Sequence, residues 1–411
     1  MHKKILFIFG TRPEAIKMAP VIKTFKNKGF NHYNSNSDKA NFGEGCDNNC
    51  GGNNKNKNNR VDKIEPELDI KVCVTGQHRQ MLDQVLSFFE IVPDYDLDLM
   101  KQNQSLFEFT ANCLKSLEFV LDDFNPDLIF VQGDTVTAFV GALAGFYKKI
   151  KIAHIEAGLR SFNKYSPFPE EINRILAGHI ADYHFAPTNK AKENLYSENI
   201  KENVWVVGNT VIDALFLGLK IVNSKRNKNK YEDYFRFLDL NKKIILVTGH
   251  RRESFGEGFE NICSALKEIA LNFSDIEIVY PVHLNPNVKE PVYRILRDIN
   301  NVYLIEPLDY PYLIWLMSKS YLILTDSGGI QEEAPSLNKP VLVMRDVTER
   351  IEGINAGTAK LVGTKKNDII NEVGGLIIER SRYENMSMSI NPYGDGNSAE
   401  KIYDIISKIY C

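Results

Sequence analysis

The chain has 411 residues, 43% of them hydrophobic, with 50 Lys and Arg against 53 Asp and Glu and a formal net charge of -3. That length and apolar content supply a large core and predict two domains. The near-neutral balance argues against a protein built to grip nucleic acid, but leaves room for an anionic small molecule held by a few local cations. No stretch approaches the roughly eighteen apolar residues of a membrane span. The opening run MHKKILFIFG has strand length, and Arg12, Glu14 and Lys17 follow it too closely for a secretory leader, so a soluble cytoplasmic protein is expected. Six cysteines do not make a disulfide framework, and Cys73, Cys113 and Cys263 read as core thiols.

In chain order, Ile5–Phe9 reads as a buried strand ending at Gly10, followed by a helix over about 13–26 with Pro13 in its first turn. Ile70–Thr75 is a second strand, 81–89 a helix and 105–124 a longer one. Leu128–Val131, Lys151–Ile155 and Tyr183–Ala186 are strands with loops and helices between them. A polar segment, 222–243, marks a boundary region. Strands at 243–248, 277–281, 302–305, 322–325 and 341–344 then alternate with helices near 259–271, 291–297, 312–317 and 329–334. A helix over 399–409 ends the chain. Two rounds of this alternation predict two parallel-sheet α/β domains. The expected division is 1–205, 206–385 and a C-terminal helical segment 386–411.

Residues 31–63 break the pattern. They hold eleven asparagines and almost no apolar periodicity, so the region 31–69 is expected to be a disordered insertion, dispensable for chemistry. Its Cys46 and Cys50, with no second Cys/His pair nearby, make a weak metal signal, and neither metal nor cofactor is expected.

Chemistry in such folds gathers after the C-terminal ends of strands. Gly10-Thr11-Arg12-Pro13-Glu14, Gly133-Asp134-Thr135 and His154-Ile155-Glu156 each follow or overlap a strand. Any one of these acids could be a cap or a salt-bridge partner, and it is their recurrence that points to a site. Pro167 to Arg174 carries Glu170 and Arg174 four residues apart, which fits either a surface pair on one helix face or two groups aimed into a cleft. In the second half, Thr248-Gly249-His250-Arg251-Arg252 follows a strand, and Asp326-Ser327-Gly328-Gly329 follows another and opens a helix. Small residues at a helix start let backbone N–H groups approach a phosphate. Glu333, one turn on, is placed to accept from ribose hydroxyls. This is neither G-x-G-x-x-G nor a P-loop, which disfavours hydride transfer and ATP hydrolysis.

Taken together, FGTRPEAIKMAP (9–20), KVCVTGQHRQMLDQVL (71–86), GDT (133–135), HIEAGLR (154–160), YSPFPEEINR (165–174), GNTVIDAL (208–215), VTGHRRESFGEGF (247–259), YPVHLNPNV (280–288), LTDSGGIQEEAPSLNKPVLVMRDVTER (324–350) and NPYGDG (391–396) closely resemble the non-hydrolysing UDP-N-acetylglucosamine 2-epimerases. The resemblance runs in order through nearly all the chain outside 31–69. It implies two Rossmann-like domains facing a cleft, each a three-layer αβα sandwich, in the manner of GT-B glycosyltransferases. It also implies a homodimer that interconverts UDP-N-acetylglucosamine and UDP-N-acetylmannosamine without NAD or metal, supplying mannosamine units for surface polysaccharide.

Carried over residue by residue, the resemblance makes Asp134, Glu156 and Glu170 catalytic carboxylates and His250 the histidine at the diphosphate. Arg12, Ser327, Gly328 and Gly329 become phosphate contacts, Glu333 the ribose contact, Lys17 and Arg174 cleft cations, and Arg350 a second-domain substrate group. Gln77, Gln80, Arg251 and His283 match a regulatory UDP-sugar site of some members. Three departures are Asn103, where some regulated members have arginine, Gln132, where another member has histidine, and the asparagine-rich insertion. Alternative readings are the hydrolysing 2-epimerase, a GT-B glycosyltransferase and a catalytically silent UDP-sugar sensor.

Overall fold

The computed structural model describes residues 2–37, 67–76, 79–101 and 103–410. Short runs of β-branched and aromatic residues form two all-parallel sheets. The first contains β1 (His2–Phe9), β2 (Glu67–Val74), β3 (Tyr95–Asp96), β4 (Leu128–Gln132), β5 (Lys151–Ile155), β6 (Tyr183–Ala186) and β7 (Val204–Val206), in the order β3-β2-β1-β4-β5-β6-β7. The second contains β8 (Lys243–Thr248), β9 (Ile276–Pro281), β10 (Val302–Ile305), β11 (Leu322–Thr325), β12 (Val341–Val343) and β13 (Ala359–Leu361), in the order β10-β9-β8-β11-β12-β13. Both are the doubly wound α/β arrangement, with helices on both faces of each sheet.

The strand period of two sorts the core into layers. Along β1, Ile5, Phe7 and Phe9 face one side, towards Ala15, Met18 and Phe25 of the helix Arg12–Ser37. Leu6 and Ile8 face the other, towards Cys113 and Leu117 of the helix Leu106–Phe124 and Val140 of the helix Val136–Tyr147. In the second sheet Ile244 and Leu246 join the layer that runs through to the first domain, whereas Ile245 and Val247 pack on the helix Glu257–Asn272. The halves meet on the helix Thr210–Val222, where Gly218 lies so close to Ile314 and Phe88 that an added Cβ would come within 2.6 Å of Ile314 Cδ1. The last helix, Ser398–Tyr410, packs against the helix that follows β1. Tyr403 meets Phe25 edge-on at 5.1 Å, and Lys28 pairs with Glu400.

The expected elements are present, with differences that have physical causes. The first helix continues to Ser37 and β2 begins at Glu67, so helix and strand take both ends of the stretch expected to be irregular. Residues 38–66, with Cys46 and Cys50, lie outside the described residues. The polar segment 222–243 contains a helix, Lys228–Tyr234. Tyr231, Phe235 and Leu238 recur at spacings of four and three and are buried, with Phe235 stacked on Trp315 at 4.8 Å, so the basic residues around them cover an anchored connection. Three strands went unpredicted, β3, β7 and β13; each has two or three residues and gives little periodicity to read. Cys73, Cys113 and Cys263 are buried free thiols.

Candidate active site

Chains leave β1 and β4 towards opposite faces of the first sheet, and β8 and β11 do the same in the second. A crevice therefore opens beyond the carboxyl ends of each pair. The candidate residues lie at these two switch points and on the segments beside them.

In the first domain, Lys17 reaches from the second turn of the helix after β1 to pair with Glu156, just past β5. Gln132, the last residue of β4, donates to the same carboxylate oxygen at 3.0 Å. Glu156 holds a left-handed backbone (φ 65), which costs a non-glycine residue about 1–2 kcal/mol and turns its side chain to these partners. Burial disfavours the charge on Lys17, but the nearby carboxylates of Glu156 and Glu332 more than offset it and hold its pKa above the ordinary value. Asp134 follows β4 and receives Arg174 at 2.6 Å. Burial nevertheless raises its pKa, because Arg174 offsets only part of the desolvation while Glu156 and Glu170 add like charge. A carboxyl raised in this way holds its proton more readily than an exposed aspartate, which suits a group that gives and takes protons.

The alternative of a surface pair between Glu170 and Arg174 is not realised: the guanidinium turns to Asp134 and, at 3.6 Å, to Glu171. Glu171 is the structural acid of the two. It is buried and accepts from the backbone N–H groups of Ser161 and Phe162 at 2.9–3.0 Å, which fixes the loop between β5 and the helix Glu170–Ile180. Asn173 donates to the Asp134 carbonyl at 3.0 Å and holds that loop from the same helix.

In the second domain, Asp326 at the end of β11 accepts from the backbone N–H groups of His250 and Arg251 at 2.6 and 2.7 Å, and its other oxygen lies 3.1 Å from His250 Nδ1. Burial works against its charge, but these contacts leave its pKa below the usual carboxylate value. The His250 ring stacks on His283 at 5.5 Å. The helix Gly328–Glu333 begins at Ser327, whose hydroxyl makes no capping bond. Arg350 lies across Gly328, where an added Cβ would meet its Cζ at 2.9 Å, and donates to Glu332 at 3.0 Å. Asn209 donates to the second oxygen of Glu332 at 3.1 Å. Glu333 is buried and accepts from Tyr310 at 3.0 Å; burial lifts its pKa to about 7.

The two halves close on a cavity of about 340 Å³ lined by Arg12, Lys17, Ser327, Gly329, Glu333 and Arg350 among others. A smaller one of about 80 Å³ shares Glu332 and Arg350 with it and adds Arg160 and Arg174. Arg12 and Lys17 from the first domain, with Arg350 and the helix start at Ser327 from the second, suit a diphosphate, and Glu333 with Tyr310 suits a hydroxylated sugar. Among the described residues no cluster of His, Cys, Asp and Glu could hold a metal.

Of the regulatory candidates, Gln77 lies outside the described residues, and of Gln80 only the backbone is described. Arg251 and His283 flank His250, with Arg251 Nε buried and unpartnered. Sequence reasoning did not single out Asp326, Glu332, Tyr310, Asn209 or Glu14 as site residues. Asp326 and Glu332 abut residues it did select, and Asn209 lies within the quoted stretch 208–215 without a role assigned to it, but Tyr310 carried no motif signal.

A family model described as UDP-N-acetylglucosamine 2-epimerase matches residues 61–407. A UDP-N-acetylglucosamine 2-epimerase of Campylobacter jejuni is 51% identical over 99% of this chain and 98% of its own length. That of Salmonella typhimurium is 51% identical over 97% of each. The crystal structure of UDP-GlcNAc 2-epimerase from Neisseria meningitidis bound to UDP-GlcNAc superposes with a TM-score of 0.81 at 48% identity, covering 98% of this chain and all of that one. The chain belongs to the UDP-N-acetylglucosamine 2-epimerase family.

Proposed function

We propose that this protein is a non-hydrolysing UDP-N-acetylglucosamine 2-epimerase that works by elimination and re-addition of UDP. The observation that carries the reading is that Asp134 and Glu156, each with its own cation, lie close enough for the charge of Glu156 to act on Asp134, and that the cation on Glu156, Lys17, lines a cavity of about 340 Å³ together with Arg12 and Arg350. The proton at C2 of the sugar is not next to a carbonyl, so its simple removal would leave a poorly stabilised carbanion. Breaking the C1–oxygen bond as C2 loses its proton avoids that species. The bonding electrons leave with UDP, those of the C2–H bond form the C1=C2 bond, and 2-acetamidoglucal results. Protonation of C2 on the opposite face and return of the UDP oxygen to C1 give UDP-N-acetylmannosamine.

In this scheme Asp134 and Glu156 exchange the proton on the two faces, with Glu170 assisting. Arg12, Lys17, Arg350, Ser327 and the backbone at Gly328 and Gly329 hold the diphosphate. His250, oriented by Asp326, donates to the departing UDP, and Glu333 accepts from the ribose. Arg174 keeps Asp134 in place. The closed cleft keeps water from the glucal, which favours re-addition over release of free sugar. The residues 1–205 and 206–385 act as the two domains of this cleft, with 386–411 strapping them. The working unit is read as a cytoplasmic homodimer; the adjacent exposed rings of Phe146 and Tyr147 on the first domain are candidates for its interface. A regulatory UDP-sugar site through Gln77, Gln80, Arg251 and His283 is part of the same reading, supported by the stacking of His283 on His250.

Chromatography of nucleotide sugars tests the proposal. UDP-N-acetylglucosamine and UDP-N-acetylmannosamine, each supplied alone, should reach one and the same mixture, and conversion of neither would contradict it.

A further inference from the structure

Glu14 is 2% exposed, forms no ion pair among the described residues, and has no part in the chemistry above. Its Oε2 accepts from the backbone N–H groups of Gly10 at 3.0 Å and Thr11 at 2.7 Å, as the third residue of a capping box would. Its Oε1 does something a cap does not require. It accepts from the Thr135 hydroxyl at 2.6 Å, on the loop that follows β4. Thr135 in turn accepts from Ala138 N at 3.1 Å and so starts the helix Val136–Tyr147. Arg12 is two residues before Glu14, and Asp134 is one before Thr135. The backbones are pressed together around this link. Thr75 and Thr137 hydroxyls meet at 2.8 Å, and a Cβ on Gly10 would fall 2.1 Å from Thr75 Oγ1.

We propose that Glu14 is a positioning residue, one carboxylate that locks the Arg12 loop to the Asp134 loop across the switch point of the first sheet. The inference rests on the roles read above for Arg12 and Asp134. Three donors converge on its two oxygens, the backbone N–H groups of Gly10 and Thr11 on Oε2 and the Thr135 hydroxyl on Oε1, and a carboxylate accepts all three. Loss of the link lets the diphosphate contact and the proton-transfer group drift apart, and shifts of about 1 Å at such a site cost on the order of a hundredfold in rate.

The test uses Glu14→Met, which removes all three acceptor contacts at similar length and leaves Thr135 its cap on Ala138, and Thr135→Ala, which removes the cross-link together with that cap and leaves Glu14 its bonds to Gly10 and Thr11. Steady-state epimerisation and melting temperature are measured for each. Expected is a fall in kcat of about tenfold to a hundredfold in Thr135→Ala, a KM for UDP-N-acetylglucosamine changed less than kcat, and recovery in Thr135→Ser. The double variant should lose no more than the worse single one. If Glu14→Met does not fold, the Thr135 pair decides alone. Wild-type kcat in Thr135→Ala, or a lowered melting temperature with kcat intact, overturns the proposal and leaves Glu14 a helix cap. Failure of wild type itself to epimerise would instead strike at the proposed function.

Discussion

Lys17 and Glu156 are 139 residues apart in the chain, yet their largely buried side chains form an ion pair. Lys17 also lines the larger cavity, so one ammonium group touches both the carboxylate assigned to proton transfer and the space assigned to diphosphate. Lys17→Met should therefore lower kcat and raise KM together, with kcat/KM falling about a hundredfold or more, equivalent to about 2.7 kcal/mol. Lys17→Arg should recover part of the KM effect. Steady-state kinetics on the two variants checks this.

Neighbouring acids should give opposite results. Glu170→Gln should leave the melting temperature near wild type and abolish most turnover. Glu171→Gln should cost about 2–3 kcal/mol of stability, because it weakens the anchoring of the Ser161 and Phe162 N–H groups at a buried carboxylate. Urea unfolding and initial rates, measured on both variants, separate the two roles.

His154 and His184 face each other in register on β5 and β6. Burial lowers the pKa of each to about 4, with the neighbouring histidine adding to the effect on His184. A folded value below the unfolded one means the neutral ring is favoured. The stability gained is complete above about pH 6.5 and is lost as pH falls towards 4. Glu333, raised to about 7, works in the other direction over part of that range, so the effect is read as a difference between proteins. The stability advantage of wild type over His184→Gln should shrink by about 1.4 kcal/mol per pH unit between 6.5 and 4. Denaturant midpoints at several pH values measure it, and a constant difference would contradict it.

Gly328→Ala should displace Arg350, whose guanidinium occupies the space a methyl group would need. The expected outcome is a rise of about tenfold in the Kd for UDP together with a lowered melting temperature, since Arg350 then leaves both the cavity wall and the buried Glu332. Titration calorimetry with UDP checks it.

Most of the fold was legible because buried parallel strands are short continuous apolar runs, and the candidate site was proposed from the unusual polar groups that follow them. What escaped was set by contacts distant in sequence. Glu332 and Glu333 are adjacent acids on one short helix, and their sequence does not say that Glu332 turns to Arg350 and Asn209 while Glu333 turns to Tyr310. Glu170 and Glu171 pose the same problem, because a helix places neighbours about 100° apart. Gln132, noted as a neighbour of Asp134, bonds Glu156 instead, since it closes β4 beside β5. The anchors Tyr231, Phe235 and Leu238 were masked by the lysines and arginines among them.

The central claim, elimination and re-addition across C2, is tested most directly by proton NMR of the protein with UDP-N-acetylglucosamine in deuterated water. The account predicts UDP-N-acetylmannosamine carrying deuterium at C2, with no accumulation of free sugar. Free N-acetylmannosamine with UDP as the products, or an epimer that keeps its original C2 hydrogen, would contradict it.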